Sequence, residues 1–283
     1  MTAAKVNPYL VELKNRVSST TLHSRICRLR RVAQYMAPER DLTWLAEIGK
    51  DLALVARPRS KFDRLVLTEV LVEAGLRLID EAERSPKLTK LARACRVRNG
   101  LMVALLGFCP IRRKNLGELE IRRSFVKIRG QWWIVLSAAE TKEKRADERP
   151  VNELLTSIID RYIAKHRPVL ARSTGGPMAL WLSANDGAPI TPKELTRVIR
   201  KTTRSTVGVA VCPHLFRTSA ASSAAVHRGD NPHLASAVLH HTHPDFTTEH
   251  YNRASSLSAA EGFRQIIRRH EKPSSGEPSG TGN

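Results

Sequence analysis

Paired cysteines are missing from this 283-residue sequence. Its four, Cys27, Cys95, Cys109 and Cys212, stand far apart and form no Cys-x-x-Cys, so neither a zinc ribbon nor a disulfide framework fits. Long apolar runs are missing too. The longest, Leu101 to Cys109, is about half the ~18 residues a membrane span needs. The opening segment, Met1 to Pro8, lacks the apolar stretch of a secretion signal. No Walker-type or Gly-x-Gly-x-x-Gly phosphate loop occurs, and no His-Glu-x-x-His, so nucleotide hydrolysis and zinc-hydrolase chemistry lack support. The expectation is a soluble, reduced, cytoplasmic protein with no membrane partner. Acidic residues are scarce as well: 27 Asp+Glu stand against 47 Lys+Arg, a formal net charge of +20. An excess of that size points to a polyanionic partner, of which nucleic acid is the commonest.

Forty-one per cent hydrophobic residues is enough for a real core, and the length allows one large domain or two modest ones. The charge is not confined to a tail. Residues 1–91 carry net +6 and the remaining 192 carry net +14. The first part reads as helical throughout. Leu22, Ile26, Leu29 and Ala33 recur at helical spacing, and Arg25, Arg28 and Arg31 occupy another face of the same helix. Those three arginines are the candidate DNA contacts of this part. Asp63 to Arg84 is a second long periodic segment, ended by Ser85-Pro86-Lys87, the candidate linker.

The second part is mixed. Ala92 to Phe108 reads as a buried helix broken by Cys109-Pro110. Leu119 to Ile128 and Trp132 to Leu136 flank a turn at Arg129-Gly130-Gln131 and read as a hairpin, with Pro150-Val151 as a third short strand. Helices dominate from Glu153 to Arg269. The expected fold is therefore mainly α with a small antiparallel β-sheet. The expected domains are 1–88, helical, and 92–270, mixed α+β. Residues 271–283, rich in Pro, Ser and Gly, read as a disordered tail.

Four places could carry chemistry: Arg112-Arg113; the loop Thr141-Lys142-Glu143-Lys144; His214-Leu215-Phe216-Arg217; and the run from Leu239 to Tyr251. Each alone is a weak signal, because surface arginines, loop lysines and packed tyrosines are common. Their order is more informative. Pro110-Ile111-Arg112-Arg113-Lys114-Asn115-Leu116, at the end of an apolar helix, resembles the first arginine box of the tyrosine recombinases, the phage-integrase family. Thr141-Lys142 resembles the family's hairpin lysine. His214-Leu215-Phe216-Arg217 resembles its second box, His-x-x-Arg, followed by small residues. Leu239-His240-His241-Thr242 stands where the family writes Leu-Gly-His-Ser, and Tyr251, ten residues beyond His241, where it keeps its nucleophile. The likeness runs from about Arg93 to Ile267. Asn115 replaces the usual Glu of the first box. His240 replaces the usual Gly, so His240 and His241 compete for one role, and the register favours His241.

The resemblance implies a helical core-binding domain, a catalytic domain and a covalent 3′-phosphotyrosine intermediate in site-specific DNA strand cutting and rejoining. Arg112 and Arg217 would hold the scissile phosphate, with His241 adding a donor. His214 would give acid–base help, since imidazole titrates near neutrality. Lys142 would protonate the leaving 5′-hydroxyl, and Tyr251 would attack. A free tyrosine is only about one part in a thousand ionised at pH 7, so it needs such surroundings. The implied partner is double-stranded DNA with inverted-repeat core sites. Four protomers would assemble on two sites, with a monomer or dimer when free and a nucleoid-associated location. Ser258 to Arg269, with Phe263 and Ile267 on an apolar stripe, could pack on its own domain or on a neighbour. No cofactor is expected. His240, His241, His243 and His250 are dense enough to suggest a metal, but no motif or nearby cysteine supports one, so no metal is expected either. The rivals are a type IB topoisomerase-like relaxing enzyme and a DNA-binding protein that kept the fold without catalysis.

Overall fold

The computed structural model describes residues 2–57, 62–171, 178–227 and 239. The chain divides into two compact units, Met1–Asp63 and Arg64–Asn283.

The first unit is helical, as its periodicity suggests. It comprises α1 (Ala3–Arg16), α2 (Ser19–Met36) and α3 (Thr43–Leu54). The Ser18 hydroxyl starts α2 by accepting the Thr21 N–H at 3.3 Å. Val6, Leu13, Leu22, Ile26, Leu45 and Leu52 form its small core. Leu22 and Ile26 take the buried stripe of α2, which leaves Arg25, Arg28 and Arg31 exposed.

The second unit opens with α4 (Thr68–Arg84) packed along α5 (Lys90–Phe108). The sequence patterns place a boundary near residue 88, whereas Ser85-Pro86-Lys87 here joins two helices of one compact unit. Arg93 staples it, donating to Ala82 O at 3.2 Å, Ser85 O at 2.8 Å and Leu88 O at 3.4 Å. The helices approach so closely because Gly75 and Gly100 face each other. A Cβ on Gly100 would stand 2.6 Å from Gly75 O and 2.7 Å from Ile79 Cγ1. Backbone cannot yield as a flexible side chain can. Gly100→Ala is therefore expected to destabilise the protein by about 1–3 kcal/mol, despite the better helix propensity of alanine. Urea unfolding measures this; an unchanged or raised midpoint would contradict the packing described.

After α5 come the single turn α6 (Arg113–Gly117) and a three-stranded antiparallel sheet in the order β1-β2-β3. The strands are β1 (Phe125–Ile128), β2 (Gln131–Leu136) and β3 (Asp147–Pro150). The expected hairpin is present, with a tight turn in which Arg129 and Gly130 both have positive φ. Two strand bounds differ from expectation. Residues 120–124 form a turn, because Glu120 O accepts from Ser124 N and Phe125 N. The third strand begins at Asp147 rather than Pro150, since Glu148 and Asp147 pair with Val135 and Leu136. Trp132, Ile134 and Leu136 point into the core, and Trp132 stacks on Phe125 with centroids 4.9 Å apart.

Residues 156–171 form one helical run, α7 (Thr156–Arg161) and α8 (Arg167–Ala171), joined by a wider π turn at Tyr162–His166. Residues 178–190 are two short non-helical arms about a turn at 184–188, bridging Glu120↔Ala179 and Leu182↔Pro189. Next, α9 (Pro192–Val207) is capped by Thr191, which accepts the Glu194 N–H, and stopped by Gly208 at φ 77°. Helix α10 (Pro213–His227) completes the described elements. Along these described residues no helix is long and apolar enough to cross a membrane.

Candidate active site

The apolar side of α5 is buried from Val97 through Leu106, so its C-terminal end is fixed against the core. Pro110 cannot continue the helix and lacks the N–H. The chain turns there, and buried Ile111 and Leu116 anchor the segment on either side of Arg112. Trp181 Nε1 donates to Leu116 O at 2.9 Å, tying the same segment from the far side. Arg112 occupies the residue before α6 with extended backbone. Its side chain is 31% exposed and reaches outward. Asn115, at the position where the family pattern has Glu, is buried.

Arg217 comes to the same place from α10. Only 8% of it is exposed. Nη1 donates to Pro110 O at 2.7 Å and Nη2 to Leu239 O at 2.7 Å. One guanidinium thus ties three stretches of chain together: α10, the Cys109-Pro110 break and Leu239. Burial lowers its pKa to about 10, and the neighbouring charges of Arg112 and Arg149 push in the same direction. It stays a cation at neutral pH. Arg217 is bonded to Pro110 O, two residues before Arg112, and the charges of Asp147 and Glu143 partly offset the effect of the two neighbouring arginines on it.

Lys142 is exposed on the turn that precedes β3. The next residue, Glu143, meets Arg112 with Oε1 2.5 Å from Nη2, so the lysine-bearing turn is held against the arginine box. His214 is exposed in the first turn of α10, three residues before Arg217. The segment leading into α10 is steadied by Val211 N donating to Thr203 Oγ1 at 2.8 Å. Arg112, the Lys142 turn and Arg217 therefore converge. His241, Tyr251 and the other clustered histidines, His240, His243 and His250, lie outside the described residues, as does the 258–269 segment. Among the described residues no cluster of histidine, cysteine or carboxylate groups could hold a metal.

Three elements escaped the sequence reading. Arg149, buried on β3, is held by Asp147 in a two-point pair at 2.7 and 2.9 Å. Its signal was an arginine at the inward position of an alternating strand, hidden because the strand was placed too late. Glu143 stands in the candidate loop, but the sequence gives it no role of its own, since its partner lies 31 residues away. The third is the outer face of α9. Lys193, Arg197, Arg200, Lys201 and Arg204 are exposed there, opposite the buried Leu195, Ile199, Thr202 and Thr203. Their helical spacing was readable.

No family model matches the sequence, and no curated protein matches it. Among solved structures the chain is similar to XerH site-specific recombinase bound to difH substrate in a pre-cleavage complex. The TM-score is 0.61 with 16% identity, covering 92% of this chain and 69% of that one. It also resembles XerA recombinase, with TM-score 0.48 and 17% identity, covering 96% and 93%. The chain has the tyrosine-recombinase fold, mainly helical with one small antiparallel sheet among its described residues.

Proposed function

We propose that this protein is a site-specific DNA recombinase that cuts and rejoins strands through a covalent 3′-phosphotyrosine. One observation carries the reading most: Arg217, far along the chain, donates to Pro110 O two residues before Arg112, and Arg112 in turn meets Glu143 on the turn that bears Lys142. A phosphodiester is an anion, and charge grows on its non-bridging oxygens as a nucleophile attacks. Fixed guanidiniums suit those oxygens in charge and geometry. Arg217, buried and braced by two carbonyls, is preorganised for that task. A donor aimed at developing charge contributes about 3–4 kcal/mol.

In this reading the Tyr251 hydroxyl oxygen bonds to phosphorus and the P–O5′ bond breaks. The tyrosine proton passes to His214 or to water, and the leaving O5′ takes a proton from Lys142. His241 adds a donor to the phosphate. The phosphotyrosyl bond conserves the energy of the phosphodiester, so an incoming 5′-hydroxyl reverses the step without ATP, metal or other cofactor. DNA would be held by sequence-independent phosphate contacts from Arg25, Arg28 and Arg31 on α2 and from the basic face of α9. The unit 1–63 would serve as the core-binding domain and the second unit as the catalytic one. Strand exchange would use four protomers on two sites with inverted-repeat cores, in the nucleoid. That the XerH structure holds its substrate supports DNA as the partner.

The test is direct. Incubation with a pool of nicked duplexes of mixed sequence is expected to leave a protein–DNA adduct that survives SDS and disappears with protease. No adduct across the pool would contradict the catalytic assignment and leave a DNA-binding protein on the same fold.

A further inference from the structure

Beside Lys142 the same turn carries a carboxylate, and that carboxylate is seated on Arg112. Glu143 Oε1 lies 2.5 Å from Arg112 Nη2. The turn does not need this contact for its shape. Thr141 Oγ1 donates to Arg145 O at 2.6 Å and accepts the Arg145 N–H at 3.1 Å, and Lys144 N donates to Thr141 O at 3.3 Å. Lys144 completes the reversal with φ of 51°. Residues 141–145 are thus closed on themselves, and what Glu143 adds is a link to the arginine. The two side chains are 32% and 31% exposed, open enough for an incoming anion to exchange. Glu143 also acts at a second point, since its charge partly offsets the repulsion felt by Arg217.

A carboxylate and a phosphate present similar oxygen pairs to a guanidinium and compete for the same fork. Placed side by side, the two anions repel. We infer that Glu143 is an internal stand-in for the scissile phosphate. It occupies Arg112 and balances the arginine cluster while DNA is absent, and it must leave when a phosphate oxygen arrives. Lys142, its neighbour in the chain, is freed from the latched position by the same exchange. The arrival of the phosphate and the release of the lysine-bearing turn become one event. This inference rests on the reading of Arg112 as a phosphate ligand.

The test uses the full chain and a fluorescein-labelled duplex of mixed sequence, with affinity measured at one fixed salt concentration. Glu143→Gln keeps the shape and removes the charge. It is expected to bind the duplex about two- to fivefold more tightly, the range of a half-exposed ion pair converted to affinity. In an Arg112→Ala background the same substitution is expected to change affinity by less than about 1.5-fold, because the competitor then has nothing to occupy. Equal or weaker binding by Glu143→Gln overturns the inference. So does a gain that persists without Arg112, which would mark a general charge effect. The wider reading fails separately: that would be Arg112→Ala leaving both duplex affinity and adduct formation unchanged.

Discussion

Replacing Arg217 with lysine is expected to slow covalent adduct formation by about a hundredfold or more, with a smaller loss in duplex binding. The guanidinium presents donors in a rigid fork, and two of its nitrogens are already committed to Pro110 O and Leu239 O. An ammonium on a flexible stem reaches one carbonyl at most and aims its charge poorly. Arg217→Ala adds a folding cost, because two carbonyls lose a charged donor in a buried place. That cost is about 1–3 kcal/mol for each group left without a partner. Thermal unfolding of both variants separates the two effects. Lysine should lose most of the rate while keeping most of the midpoint, whereas alanine should lose both. A lysine variant with full cleavage rate would remove Arg217 from the phosphate site.

The second large effect belongs to Lys142. Lys142→Ala is expected to slow cleavage by about 10²–10⁴-fold, the usual worth of a general acid. It should leave folding untouched, since the residue is exposed on a self-closed turn. The leaving group decides the interpretation. An alkoxide leaves poorly without a proton, whereas a thiol is acidic enough to leave as thiolate near neutral pH. A substrate with sulfur at the bridging 5′ position should restore most of the Lys142→Ala rate and none of the Arg217→Lys rate. If the sulfur substrate leaves the Lys142→Ala deficit in place, the lysine is not the acid.

Much of this arrangement was legible in the sequence, for identifiable reasons. The apolar run of 92–108 and the turn at Arg129-Gly130 depend on neighbours in the chain; α5 covers that run, and the β1–β2 hairpin forms about that turn with a shorter first strand. Local patterns also pointed to Arg112, Lys142, His214 and Arg217. What they could not supply was partnership. Nothing near Gly75 in sequence announces Gly100, so the close α4–α5 contact has no local signal. Nothing near Glu143 announces Arg112. Arg149 escaped differently: the sequence places the third strand at Pro150-Val151, just past it, while Asp147 two positions earlier makes its burial tolerable. Pairing across the fold, rather than periodicity along it, sets the charge balance of the site.

The +20 net charge consequently has two uses in this account. Exposed arginines and lysines on α2 and α9 would serve affinity and make it fall steeply with salt. Arg112 and Arg217, linked through the Pro110 segment, would instead serve rate.

The most direct measurement of the central claim is the identity of the bonded residue. The SDS-resistant adduct formed with nicked duplex DNA should be digested with protease and nuclease, and the nucleotide-bearing peptide sequenced by mass spectrometry. The account predicts a 3′-phosphonucleotide on Tyr251 and complete loss of the adduct in Tyr251→Phe. A nucleotide on any other residue, or an adduct that persists in Tyr251→Phe, would contradict it.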